Sequence, residues 1–167
     1  MKYTFDFIGE INTNNIITLT NYIKSIQNLT SHDTLFININ STGGSISDGL
    51  AIYNIIKKLP CNVATHNLGE VSSAAILLYM TGTTRTSEDI SKFLIHPITI
   101  NLNAICNYYQ LKELCDTLTA DINNYLSIVT TEIPMITQKY NILNSLQYEA
   151  LTLTKNDAIS CGIITNP

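Results

Sequence analysis

Hydrophobic and polar positions change period repeatedly along this chain, and each change marks an element. In "YTFDFIG", residues 3–9, they alternate, as on a strand with one buried face. "NNIITLTNYIKSIQNL" then spaces Ile16, Leu19, Ile23 and Ile26 by three or four, which predicts a helix. "TLFININ", Thr34 to Asn40, returns to β-branched and aromatic residues and stops at "STGGS". The next segment, "SDGLAIYNIIKKL", sets Leu50, Tyr53, Ile56 and Leu59 on one helical face. "CNVATHNL", Gly69 and the apolar run "SSAAILLYM" repeat strand and helix, and "SKFLIHPITI" supplies a further strand with His96 near its end.

Strands alternating with helices predict an α/β head with a mostly parallel sheet and right-handed crossovers. In such sheets the carboxyl ends of the strands lie along one edge, so the "TGG" loop, the Gly69–Ser73 turn and His96 are expected to meet in one cleft. Beyond Asn103, the positions Ile105, Tyr108, Leu111, Cys115, Leu118, Ile122, Tyr125 and Val129 step by three or four over about seven turns, a long amphipathic helix. The tail after it, a weak helix or loop pattern, is too short to cover that face alone, which predicts that another subunit helps to cover it. The expected organisation is a single domain over residues 1–167. Its head is 1–100 and 132–167, and 103–131 form a protruding handle helix.

Composition narrows the partners. Hydrophobic residues make up 45% and charged residues only 13%, too few charges for a freely soluble monomer, so a homo-oligomer is expected. With a net charge of -4 and one arginine, Arg85, the chain has no basic stripe to neutralise a phosphate backbone, which excludes nucleic acid. No apolar run reaches membrane-spanning length, and the first residues lack the order of a signal peptide, so the expected compartment is the cytoplasm. Cys61, Cys106, Cys115 and Cys161 show neither metal nor disulfide-framework spacing, and no metal or cofactor is expected.

The candidate chemistry lies at the predicted sheet edge. Gly43 and Gly44 lack a Cβ, so their N–H groups can face a site and donate to an oxyanion; the plain alternative is a tight turn capped by Ser45 or Ser47. Ser72 and Ser73 can cap the following helix, or one of them can act as a nucleophile at a helix start, where free N–H groups and positive potential favour an oxyanion. His96 can be a structural histidine or the base that such a serine needs. His66 reads as core or core edge and His32 as surface loop.

Taken in order, "FININSTGGSISDGLAIYNIIKKL", "VATHNLGEVSSAAILLYMTG", "FLIHP" and "NDAISCGIIT" resemble the proteolytic subunit of the Clp protease, of the ClpP/crotonase fold. The resemblance covers nearly the whole chain and implies a serine endopeptidase. Ser73 falls on its nucleophile and His96 on its base, with the amides of Gly44 and Ala74 forming the oxyanion hole. An extended peptide or unfolded protein would lie beside Gly43, Ser45 and Ile46 within an oligomeric ring. The family's catalytic aspartate falls on Ala150, which cannot orient an imidazole; adjacent Glu149 takes that role after a one-residue shift, or is a solvated surface group.

Other departures concern assembly. The family's proline is Thr42 here, the methionine after the nucleophile is Ala74, and the stretch between histidine and handle is shortened to "PITINLNA". The resemblance names an ATPase unfoldase or a paralogous subunit as further partners; the few residues ahead of the first strand argue against the unfoldase. The competing readings are a catalytically weakened or inactive assembly or regulatory subunit, a crotonase-type acyl-CoA enzyme that needs neither serine nor histidine, and a Ser-Lys peptidase.

Overall fold

The computed structural model describes residues 1–100, 102 and 105–166. Strand β1 (Lys2–Ile8) leads to α1 (Thr13–Ser25), β2 (Thr34–Ser41), α2 (Ile46–Ile56), β3 (Asn62–Ser72) and the short α3 (Ala75–Tyr79). Strands β4 (Thr84–Ser87) and β5 (Lys92–Ile95) precede the long helix α4 (Tyr108–Glu132), followed by α5 (Ile136–Lys139), α6 (Ile142–Gln147), β6 (Leu151–Thr154) and α7 (Lys155–Cys161). One sheet runs β1-β2-β3-β5-β6, with β4 also on β3; the pairings are parallel except β5 with β6. Each parallel link is bridged by a helix, as the alternating pattern predicts.

Strand β3 is longer than its sequence pattern suggests. Its first half, Ala64–Asn67, pairs with β4, and Glu70–Ser72 pair with β5, so one strand serves two neighbours in succession. Between them the register against β2 jumps, from Ile39 opposite Asn67 to Ser41 opposite Val71. Two amide side chains hold this bulge. Buried Asn67 accepts from the Gly69 amide at 2.9 Å and donates to the Lys92 carbonyl at 3.0 Å, while Asn40 accepts from the Glu70 amide at 3.1 Å. The expected Gly69–Ser73 turn is thus strand as far as Ser72, because these residues find ladder partners in β5, and the turn contracts to Ser73 and Ala74. The helix beyond is only Ala75–Tyr79 and wholly buried, which explains a sequence that is apolar on every side.

Two further differences follow from packing. The buried face of α2 is Ile46, Gly49, Ile52 and Ile56, whereas Leu50, Tyr53 and Leu59 only flank the core. Gly49 turns the helix this way: a Cβ there would lie 3.0 Å from Leu77, so the glycine lets α2 approach α3. In α4 only Ile122, Tyr125 and Val129 are buried, so the handle packs on the head by its C-terminal half. Tyr108, Tyr109 and Leu111 of its first turns are exposed; the expected start at Asn103 lies outside the described residues.

The tail folds back as structure that periodicity missed. β6 is only four residues long, and its ladder with β5 is what makes it a strand. The Thr154–Asp157 capping box starts α7. Buried Arg85 fastens the chain end, donating to the carbonyls of Ile163 at 2.7 Å, Gly82 at 3.0 Å and Gly162 at 3.1 Å. The chain's one arginine is a structural clamp, its guanidinium satisfied by backbone oxygens.

Candidate functional site

The end of β3 resolves the two adjacent serines. Ser72 is buried, and its hydroxyl donates to Glu70 Oε1 at 2.7 Å; Glu70 Oε2 lies 3.1 Å from Lys92 Nζ. The Ser72 hydrogen bond, helped by Lys92 and opposed by burial, holds the Glu70 carboxyl below the usual carboxylate range. Ser73 follows in the left-handed region, φ 53°, a conformation that costs a non-glycine residue about 1–3 kcal/mol and persists where its surroundings impose it. They do so here from two sides. The Ser73 amide donates to the Leu94 carbonyl at 2.8 Å, and its carbonyl accepts from the Tyr125 hydroxyl of α4 at 3.1 Å.

The glycine loop lies flat against this turn. Gly43 has φ 97°, and a Cβ on it would sit 2.6 Å from the Ser73 Cβ and 2.8 Å from the Ser72 carbonyl oxygen, so no larger residue fits. Gly44, at φ 145°, leaves no room for a Cβ against the Ile11 carbonyl. Ile11 anchors the loop by donating to the Gly43 carbonyl and accepting from the Ser45 amide, each at 2.8 Å. Ser45 caps α2, accepting from the Asp48 amide at 3.2 Å, and Ile46 opens that helix with its side chain in the core. The segment "GGSI" is therefore a bridged turn into a helix. The amides of Gly44 and Ala74 donate to no other described residue.

His96 stands one residue past β5. Its Nδ1 lies 2.9 Å from the carbonyl oxygen of Pro97. A carbonyl only accepts, so this contact calls for a proton on Nδ1, and in the neutral ring that tautomer leaves Nε2 as an acceptor. Ser73 and His96 line one cavity of about 370 Å³, together with Gly44, Ser45, Ile46 and Ser47 on one side and Thr117, Leu118 and Asp121 of α4 on the other. Gly43 and Ala74 back the serine turn without lining the cavity. Among the described residues that line it there is no lysine. A second cavity, about 460 Å³ between α4 and the α5–α6 segment, holds neither histidine nor acid.

The orienting acid is where the site departs from expectation. Glu149 is exposed on the segment between α6 and β6 and does not line the cavity. Leu151 pairs with Ile95 at the last rung of the antiparallel ladder, and Ala150 and His96 are the residues next to that rung on the two segments. The acid that does line the cavity is Asp121, missed by periodicity. Its signal was a charged residue on the apolar stripe of α4, three after Leu118 and four before Tyr125. His66 is half-buried at 2.7 Å from Thr86 Oγ1, and His32 is exposed. Among the described residues no cluster of His, Cys, Asp and Glu could hold a metal ion, and no helix is long and apolar enough to cross a membrane.

A mostly parallel, bulged sheet with a crossing handle helix defines an α/β protein of the ClpP/crotonase type. The family model described as Clp protease matches residues 4–166, and the chain belongs to that family. It is 26% identical over 171 residues to the ATP-dependent Clp protease proteolytic subunit of Borreliella afzelii (strain PKo), covering 95% of this chain and 79% of that protein. The same-named protein of Borrelia garinii subsp. bavariensis is 26% identical over 169 residues, 93% of this chain and 79% of its own. A shorter match, 43% over 60 residues, links 35% of this chain to 28% of the Bdellovibrio bacteriovorus subunit.

Proposed function

We propose that the protein is a serine endopeptidase of the Clp proteolytic-subunit type, acting on peptides or unfolded proteins within a homo-oligomeric ring. The observation that carries this reading is the shared cavity of Ser73 and His96, with Nδ1 of the imidazole 2.9 Å from the Pro97 carbonyl oxygen. His96 Nε2 takes the proton of the Ser73 hydroxyl as Oγ attacks the peptide carbonyl, then returns it to the leaving amine. The amides of Gly44 and Ala74 receive the developing oxyanion. An extended peptide lies beside the glycine loop at Ser45 and Ile46, with Gly43, the third expected contact, packed behind the serine turn instead of on the cavity wall.

In serine proteases the loss of the orienting aspartate costs about 10⁴ in turnover when it leaves the imidazole in the wrong tautomer. Here the Pro97 carbonyl calls for the productive tautomer but supplies no negative charge, so the remaining deficit is electrostatic. Glu149 enters this scheme only through movement of its loop. A Glu149→Gln variant that keeps full activity removes it from the mechanism.

A second reading, a catalytically weakened or inactive assembly subunit, is favoured by an alanine, Ala150, one residue beyond the ladder that ends beside His96. Treatment of the purified assembly with a fluorophosphonate probe separates the two. Adduct at Ser73, absent in Ser73→Ala and strongly reduced in His96→Ala, is the result expected of the peptidase. No adduct in the intact assembly leaves the assembly subunit. The cytoplasm stays the compartment expected from the sequence, to be checked by cell fractionation, and an unfoldase or paralogous partner stays a matter for co-purification.

A further inference from the structure

The wall contributed by α4 carries a charge that the proposed chemistry does not use. Among the described residues lining the cavity, Asp121 is the one carboxylate, and none is a lysine or arginine. Two other acids of this helix are paired, Asp116 with Lys112 at 2.7 Å and Glu132 with Lys57 at 2.7 Å, while Glu113 is exposed and does not line the cavity. Asp121 has no ion-pair or side-chain hydrogen-bond partner among the described residues. It is half-buried, and burial pushes its carboxyl upward, the mark of a charge that lacks compensation.

Its position relative to the serine is fixed by the helix. Tyr125, one turn further along α4, donates its hydroxyl to the Ser73 carbonyl, so residues four before it on the same face lie over the serine turn. Leu118 and Ile98 supply apolar wall in the same cavity. A long aliphatic side chain with a cationic end matches this surface, its stem against the isoleucine and leucine and its charge at the carboxylate.

We propose that Asp121 makes the site select a basic side chain, pairing with a lysine or arginine of an extended peptide bound beside Ser73. The inference rests on the peptidase reading for its cleavage test but not for its binding test. An incoming cation supplies the partner that this chain does not, whereas an acidic side chain meets like charge in a partly desolvated cavity.

The experiment uses the assembled protein and fluorogenic peptides that differ only in the residue before the scissile bond: lysine, arginine, norleucine or glutamate. The expected kcat/KM for lysine exceeds that for norleucine by about tenfold, a ratio that falls to near one in Asp121→Asn and shifts toward glutamate in Asp121→Lys. A lysine-to-norleucine ratio unchanged by Asp121→Asn overturns the proposal. So does an equal slowing of all four peptides, which would make Asp121 a positioning residue for His96. Binding of the same peptides to Ser73→Ala, followed by fluorescence anisotropy, decides the matter without turnover. A lysine preference that is lost on adding Asp121→Asn supports selection even if the parent cleaves nothing, an outcome that would sink only the peptidase reading. Equal binding of lysine and norleucine peptides overturns it.

Discussion

At the scale of single residues, the site depends on positions where the usual side chain is missing or the usual conformation is refused. Ser73 adopts a left-handed backbone because Leu94 and Tyr125 hold its amide and carbonyl, and Gly43 has to be glycine because Ser73 occupies the space of its Cβ. Ala150 is the complementary case, a methyl group one residue beyond the ladder that ends beside His96, where the proposed mechanism would be helped by an acid. Ala150→Asp is expected to raise kcat/KM about tenfold, because the substituent can stabilise the imidazolium formed during attack while the ring keeps the tautomer that the Pro97 carbonyl calls for. The fluorophosphonate labelling rate of the variant measures this; a rate equal to the parent's would mean that the carboxylate does not reach the ring.

At the scale of elements, the seam between β3 and β5 carries the site, since it holds the Ser73 amide on the Leu94 carbonyl and sets His96 just beyond. Glu70 ties that seam by binding Ser72 and Lys92 together. Its folded pKa lies below the ordinary value, so its contribution is present above the usual carboxylate range and is lost as pH falls through and below it. Urea midpoints measured between about pH 5 and pH 3 should therefore decline less steeply for Glu70→Gln than for the parent. Parallel slopes would show that Glu70 titrates alike in both states. Helix α4 adds the other wall. Tyr125→Phe should cost about 1–2 kcal/mol, the hydroxyl bond to a buried carbonyl, and slow labelling of Ser73; a loss of stability alone would confine Tyr125 to packing.

At the scale of the whole molecule, the sheet and its helices share one core, and the first turn of α4 is exposed among the described residues. Tyr108 is 73% exposed and Tyr109 79%, beside exposed Ile105 and Leu111. Such a face, on a chain with 13% charged residues, is where copies of the proposed ring are expected to meet. Tyr108→Asp with Tyr109→Asp should shift sedimentation toward smaller species while the circular-dichroism spectrum is retained. An unchanged sedimentation profile would place the contacts elsewhere.

Much of this was legible in the residue order. The alternation of periods determined the parallel α/β head and the long helix, because half-buried strands and packed helices each impose a spacing that local sequence must obey. The glycine pair marked Gly43 and Gly44, since special backbone geometry restricts residue type, while Ser73 and His96 were candidates through the ordered motifs' resemblance to a known family. What the local pattern did not determine depends on partners distant in the chain. The extension of β3 to Ser72 rests on β5, β6 exists by its ladder with β5, and the α2 face is set where Gly49 meets Leu77. Ser72 and Ser73 differ only in space: Glu70 takes the hydroxyl of the first, and Tyr125, 52 positions away, holds the backbone of the second. Asp121 came to the cavity the same way, because only tertiary packing brings that face of the handle over the serine turn.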